Sequence, residues 1–166
     1  CKRCKGQCIM LKKLTTLEQV YAVIQDDPVR PRIAADWRIA HGREVYTLVN
    51  EHQNEPQAVI CVAYCDKVPT CERDMDSTGD RVAVFYTVWS YSRGAGTTIV
   101  NEVFEHIHTT KQCKQYVTLS PLTEMAERFH IKNGATLLER HTTAQNFEYK
   151  REAPAPESRK AVNAQD

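Results

Sequence analysis

The chain has 166 residues, of which 42% are hydrophobic and 26% are charged, a composition typical of one globular domain with a sizeable core. Its formal net charge of +1 gives no reason to expect nucleic acid or an anionic membrane as a partner. No stretch approaches the roughly 20 apolar residues that a membrane span needs, and the N-terminus lacks a secretory signal. We therefore expect no membrane partner and a cytoplasmic location.

The first nine residues are basic and contain three cysteines. Cys1, Cys4 and Cys8 have the spacing of half a zinc site, and the thiolates that could complete it are those of Cys61, Cys65 and Cys71. The spacing is incomplete and a small thiol packs readily inside a strand, so we predict no metal. Because Met10 resembles a natural start, residues 1–9 are interpreted as a non-native or mobile head.

Two helices and a hairpin are predicted in the N-terminal half. Thr15-Thr16-Leu17-Glu18 is typical of a capping box, and the apolar positions that follow at helical spacing predict a helix that Pro28 ends. A short second helix is expected within residues 33–39. The alternating residues 44–50 and the more apolar residues 58–64 predict two strands joined by a turn, and the acidic residues 71–80 predict a loop.

Residues 81–90 are β-branched and aromatic with almost no polar interruption, which predicts a central strand buried on both faces. The turn Gly94-Ala95-Gly96 follows, and then a helix whose apolar stripe begins at Ile99. A glycine turn between a strand and a helix lets an anion approach unpaired backbone N–H groups at the positive end of the helix dipole. A diphosphate site is therefore predicted, formed by Arg93, Gly94, Ala95, Gly96, Thr97 and Thr98. An ordinary tight turn that needs positive φ is the alternative.

The C-terminal part predicts a strand at residues 116–119, a helix at 122–133 with Gly134 beyond its end, and strands at 136–139 and 146–150. Residues 151–166 carry Ala-Pro-Ala-Pro and scattered charges and are interpreted as a disordered tail. The element order is αα-ββ-β-α-β-α-ββ. It predicts a single α/β (α+β) domain over residues 10–150, with a mixed central sheet of about six to seven strands flanked by about four helices.

The glycine turn resembles the Gln/Arg-x-x-Gly-x-Gly/Ala pattern of the GNAT superfamily of acyl-CoA-dependent acyltransferases, with Tyr91 at the Gln/Arg position. Arg93 could supply the missing positive charge. A second family element, Ala-x-x-Phe-Tyr-x-x-x-Gly-Phe, lies over residues 126–135, where His130 replaces the tyrosine. The resemblance implies a GNAT domain that uses acetyl-CoA or another acyl-CoA as co-substrate. It would acylate an amine of a small molecule or protein, with His130 as candidate general acid. A homodimer is left open.

Three segments also resemble malonyl-CoA decarboxylase, whose catalytic half has a GNAT fold: Phe85-Tyr86-Thr87-Val88, Thr118-Leu119-Ser120-Pro121 and residues 128–135. This second resemblance implies a catalytic pair of Ser120 and His130 that acts on malonyl-CoA without an amine acceptor. A catalytically silent member of the fold, serving as a binding or structural protein, is the third hypothesis. In both catalytic hypotheses the structural alternatives stay open: His130 as a packed helix residue and Ser120 as an ordinary loop residue. A general base for acyl transfer is not selected among Glu51, His52, Glu72, Asp74 and Asp76.

Overall fold

The computed structural model describes residues 9–52 and 54–150. Within them, seven strands and four α-helices follow one another as β1 (Ile9–Leu14), α1 (Leu17–Ile24), α2 (Ala35–Arg38), β2 (Arg43–Asn50), β3 (Pro56–Cys65), β4 (Val82–Ser90), α3 (Ala95–Thr110), β5 (Gln115–Thr118), α4 (Glu124–Lys132), β6 (Thr136–Arg140) and β7 (Gln145–Tyr149). A 3₁₀ helix, Glu72–Asp76, interrupts the predicted loop between β3 and β4. The predicted α+β fold with a mixed sheet is confirmed.

Strand β1 was not predicted. It pairs antiparallel with β2, from Ile9 opposite Asn50 to Leu14 opposite Val45, at one edge of the sheet. Its adjacent lysines, Lys12 and Lys13, break the alternation that marks a strand in sequence, although charged residues of this kind are common on edge strands. Ile9 was assigned to the head but begins this strand; the rest of the head, residues 1–8, and the predicted tail, residues 151–166, lie outside the described residues.

The helix caps explain where α1 and α4 begin. The capping box forms one residue later than predicted, because the Thr16 side chain accepts from the Gln19 N–H at 3.2 Å while the Gln19 side chain accepts from the Thr16 N–H at 3.1 Å. Helix α4 begins at Glu124 rather than at residue 122, since the Thr123 hydroxyl accepts from the Ala126 N–H at 3.2 Å. Both caps lie within two residues of the predicted starts.

The sheet order is β1-β2-β3-β4-β5-β7-β6, which places β4 in the middle as predicted. All neighbouring strands are antiparallel except β4 and β5, which are parallel. One face of the sheet packs with α1 and α2, and the other face packs with α3. Both faces of β4 are therefore buried in the described part of the chain.

A gap opens between β4 and β5 in the middle of the sheet. The two strands pair only from Val82 to Phe85, after which β4 continues to Ser90 while β5 ends at Thr118. A bulge in β4 leaves Tyr86 without a partner in β3, which increases the local twist. Beyond Phe85, the edge of β4 that faces β5 thus has no strand partner among the described residues.

Candidate functional site

Gly94 sits at the start of α3 in a left-handed conformation with φ of 81°. Nothing lies within 4 Å of the position that a Cβ atom would occupy there, so the turn is open as well as strained for other residues. The first helical hydrogen bond runs from the Thr98 N–H to the Gly94 carbonyl at 3.2 Å. The N–H groups of Gly96 and Thr97 therefore have no carbonyl one turn earlier within the helix, as is usual for a helix start.

A hollow of about 420 Å³ covers this turn. Four of the six predicted diphosphate residues line it, namely Arg93, Gly94, Ala95 and Thr98. Gln57 and Ser92 complete its polar wall, and the Ser92 hydroxyl donates to the Gln57 side chain at 2.8 Å. Glu102, one helical turn further along, also reaches the hollow. The arrangement gives an anion the positive end of α3 and one arginine, with a carboxylate at the rim.

The other two predicted residues, Gly96 and Thr97, direct their substituents toward α4. A Cβ atom on Gly96 would lie 3.3 Å from Cε1 of Phe129, so this glycine permits close packing of the two helices. The Thr97 hydroxyl donates to the Asn133 side chain at 2.9 Å. These contacts fix the start of α3 against the end of α4, and only the backbone N–H groups of the two residues remain suited to an anion.

Tyr91, at the Gln/Arg position of the GNAT pattern, is tied to the turn that follows α1. Its hydroxyl donates to Asp26 at 2.7 Å and accepts from the Trp89 indole at 3.0 Å. Burial and the hydrogen bond to Asp26 raise the pKa of Tyr91 to about 12, so it carries no charge at neutral pH. Arg93 is thus the basic side chain of the turn.

His130 is buried on the inner side of α4. Its Nδ1 lies 2.7 Å from the Tyr149 hydroxyl, and its ring stacks on Phe147 with centroids 5.4 Å apart. Desolvation lowers the pKa of His130 to about 4, while burial raises the pKa of Tyr149. The phenol therefore stays protonated, and in the tautomer in which it donates to Nδ1 the imidazole hydrogen lies on Nε2.

This environment changes the chemistry that His130 can perform. A general acid is most efficient at neutral pH when its pKa is near 7, whereas burial lowers the pKa of His130 to about 4. A neutral imidazole with its hydrogen on Nε2 can still donate a hydrogen bond to a developing anion.

Ser120 follows the end of β5, beside the gap. Its hydroxyl donates to the Thr118 hydroxyl at 2.7 Å, and its backbone exchanges two hydrogen bonds with Gln145 at 2.8 and 2.9 Å. The Thr118 oxygen also accepts from the Phe147 N–H at 3.0 Å. No hydrogen bond joins Ser120 to His130 within residues 9–52 and 54–150; Thr118 and Phe147 connect the two instead.

A buried ion pair lies behind β4 and was not predicted. Asp27 and Arg38 are both fully buried, with 2.9 Å between Oδ2 and Nη1. The Thr87 hydroxyl of β4 donates to Asp27 at 2.9 Å, and the same carboxylate accepts the N–H groups of Val29 and Arg30 at 2.8 Å each. Asp27 thus holds the loop between α1 and α2 against the strand that borders the gap.

Three of the four acidic candidates for a general base are engaged elsewhere. Glu72 pairs with Arg30 at 3.3 Å, and Asp76 accepts from the Trp37 indole at 3.0 Å. Asp74 accepts from the Thr70 N–H and hydroxyl, which lower its pKa. None of these contacts selects a base.

In the described ranges, no group of three His, Cys, Asp or Glu side chains is arranged to hold a metal ion. The cysteines at positions 1, 4 and 8 lie outside those ranges. None of the helices in the described ranges is long and apolar enough to cross a bilayer.

No family model matches the sequence, and no curated protein matches it either. Solved structures do resemble it. Malonyl-CoA decarboxylase from Agrobacterium vitis superposes with a TM-score of 0.72 at 17% identity, over 95% of this chain and 63% of that chain. NAA60 from Arabidopsis thaliana, in complex with acetyl-CoA, superposes with a TM-score of 0.63 at 12% identity, over 86% of this chain and 98% of that chain.

The N-acetyltransferase PseH from Campylobacter jejuni, in complex with acetyl coenzyme A, gives a TM-score of 0.60 at 10% identity, over 87% of this chain and all of that chain. The chain spans 63% of the length of the Agrobacterium decarboxylase and about a third of two other bacterial malonyl-CoA decarboxylases. At these identities the likeness establishes the fold. The chain therefore has the GNAT fold, which both the acetyltransferases and the malonyl-CoA decarboxylases display.

Proposed function

We propose that the protein is an acyl-CoA-dependent acyltransferase in which the CoA diphosphate binds at the turn of residues 93–98. The main observation behind the proposal is the open, left-handed Gly94 at the start of α3. Gly94 follows the end of β4, the strand that borders the central gap of the sheet. Beyond Phe85, the peptide groups of β4 that face the gap would form hydrogen bonds with the pantetheine arm, in the way that a strand edge binds an added strand. This path leads the thioester toward the end of β5.

In the transfer step, the acceptor nitrogen attacks the thioester carbonyl, the C–N bond forms, and the C–S bond breaks. The nitrogen loses a proton, and the CoA thiolate gains one. His130 would donate a hydrogen bond from Nε2 to the negative charge that develops, since its buried imidazole is neutral. Ser120, at the end of β5, would contact the thioester.

Decarboxylation of malonyl-CoA is the second candidate, supported by the 95% of this chain that superposes on the Agrobacterium enzyme. Here the bond between the carboxylate carbon and the methylene carbon breaks, CO₂ leaves, and the electron pair remains as a thioester enolate. The enolate carbon then takes a proton. A neutral His130 is suited to stabilise the enolate oxygen, and no amine is needed.

The experiment is a calorimetric titration of the full chain with acetyl-CoA, comparing wild type with Gly94→Ala. A methyl group at this position meets no protein atom, so apart from strain in the left-handed backbone it obstructs only a bound anion. We expect Gly94→Ala to weaken binding by about tenfold or more, because charge-assisted hydrogen bonds are each worth about 1.5–3 kcal/mol.

Gly134→Ala is the matched control. Gly134 has φ of 100° and equally open surroundings, but it does not line the hollow at the α3 turn. Both variants should lose about 1–2 kcal/mol of stability through the left-handed backbone, so only the loss of affinity distinguishes them. S-acetylpantetheine, which lacks the diphosphate, should bind all three proteins equally. Equal acetyl-CoA affinity in wild type and Gly94→Ala would reject the turn as the diphosphate site, and no binding to wild type would favour the silent member of the fold.

A further inference from the structure

A second hollow, of about 580 Å³, lies on the face of the sheet that carries α1 and α2. We call it the arginine hollow, and the residues that define it here are Arg30, Arg32, Glu72, Arg73, Pro121 and Ala144. Pro121 directly follows Ser120, and Ala144 lies in the turn between β6 and β7. The arginine hollow therefore borders the end of β5, where the gap between β4 and β5 opens.

The lining is strongly basic. Three arginines face one carboxylate, Glu72, whose Oε2 lies 3.3 Å from Nε of Arg30 and 3.5 Å from Nη2 of Arg32. One carboxylate cannot neutralise three guanidinium groups. The hollow thus retains an excess of positive charge that would attract an anion.

Arg30 is the central feature of the hollow, because its side chain is only 6% exposed. Its Nη2 donates to the Leu119 carbonyl at 2.9 Å, which fixes the guanidinium against the end of β5. Its buried Nε lies 3.3 Å from the Glu72 carboxylate, an ion-pair contact that does not have hydrogen-bond geometry. Burial lowers the pKa of Arg30, which reflects the cost of holding this charge away from water. An anion bound in the hollow would give this Nε the well-aligned hydrogen bond that Glu72 does not make.

We propose that the arginine hollow binds a carboxylate group of the substrate. The inference rests on the proposed function, because the carboxylate would belong either to the acyl group of a CoA thioester, as in malonyl-CoA, or to the acceptor amine. Arginine suits this role, since its planar fork matches a carboxylate with two parallel hydrogen bonds. Arg30 donates to the carbonyl of Leu119, the residue that directly precedes Ser120. A carboxylate bound by Arg30 would therefore lie beside the thioester. Glu72 competes for the same guanidinium groups in the free protein.

The test compares the affinities of the full chain for malonyl-CoA and acetyl-CoA by calorimetry. Arg30 itself is unsuitable for replacement because its bond to Leu119 supports the fold, so the variant is Arg32→Gln with Arg73→Gln, both exposed side chains. Arg128→Gln, an exposed arginine of α4 outside the hollow, is the control. The ratio of the two affinities cancels the diphosphate and adenosine contributions, which both ligands share.

If the carboxylate comes from the acyl group, wild type prefers malonyl-CoA, and the double variant lowers that preference by about fivefold or more. Glu72→Gln should raise the same preference, because it removes the competing carboxylate; loss of a merely structural contact would not produce this opposite sign. If the carboxylate comes from the acceptor, the double variant instead lowers the ratio of kcat/KM for amino acids over the matching amino acid amides, with acetyl-CoA as donor.

Two results would overturn the inference. In the first, the protein binds acetyl-CoA, but the affinity ratio and the kcat/KM ratio of the double variant both stay within about twofold of wild type. This result would reject the carboxylate site and leave the proposed function standing. Absence of binding of both acetyl-CoA and malonyl-CoA by wild type would reject the proposed function, and the inference would fall with it.

Discussion

At the scale of single residues, His130 is held neutral by burial, and its titration should be visible in the stability of the fold. Its pKa is lowered from 6.5 in an unfolded chain to about 4 in the folded protein. The unfolded state therefore binds more protons between these values, and stability should fall as pH decreases from about 6.5 to about 4. The loss should be on the order of 3 kcal/mol, since each pKa unit corresponds to about 1.4 kcal/mol.

Urea unfolding at pH 7, 5.5 and 4.5 measures this effect when wild type is compared with His130→Gln, which cannot titrate. The difference in unfolding free energy between the two proteins should shrink as the pH falls. Glu44, whose pKa is lowered by hydrogen bonds from Tyr64 and Tyr46, titrates in both proteins and cancels. A difference that stays constant across this range would show that His130 is not buried as described.

Residue types and spacing predicted the titratable histidine, the serine and the glycine turn, but not their environments. The two glycines of the turn look equivalent in sequence, yet Gly94 is open and Gly96 packs against Phe129, because only the position of α4 distinguishes them. Nothing in the sequence marked Arg30 as a site residue, since it is only a basic residue between two prolines. Its burial depends on Leu119, which lies 89 positions away in the chain.

At the scale of elements, the loop between α1 and α2 is fixed to β4 by the buried pair of Asp27 and Arg38. Removing one partner would leave an uncompensated charge in the core, so Asp27→Asn should lower the unfolding free energy by about 3–5 kcal/mol. Glu124→Gln is the comparison, because it breaks the exposed pair with Arg128 on α4 and should cost at most about 0.5 kcal/mol. Chemical denaturation measures both, and equal small losses would mean that the buried pair does not stabilise the loop.

Sequence periodicity predicted most elements within two residues, because their apolar positions repeat clearly and their ends carry caps or turns. Strand β1 was not predicted from the sequence, because its six residues include two adjacent lysines and its pairing partner, β2, lies more than 28 positions later in the chain. The 3₁₀ helix Glu72–Asp76 was not predicted for another reason. Its five residues are mostly charged, and only Met75 enters the core.

At the scale of the whole molecule, the fold class followed from element order, whereas the gap between β4 and β5 did not. The gap results from two strands of different length that pair over only four residues, and from the bulge at Tyr86. Neither the pairing register nor the bulge has a local sequence signature. The two hollows likewise depend on segments that meet only after folding.

The central claim is that CoA binds through the backbone at the start of α3. A ¹⁵N–¹H correlation spectrum titrated with CoA tests it most directly, because it reports on each amide separately. We predict that the largest shifts occur at Gly94, Gly96 and Thr97, whereas Gly42, a left-handed glycine at the start of β2, stays unchanged. Shifts confined to other parts of the chain, or no shifts at saturating CoA, would contradict the account.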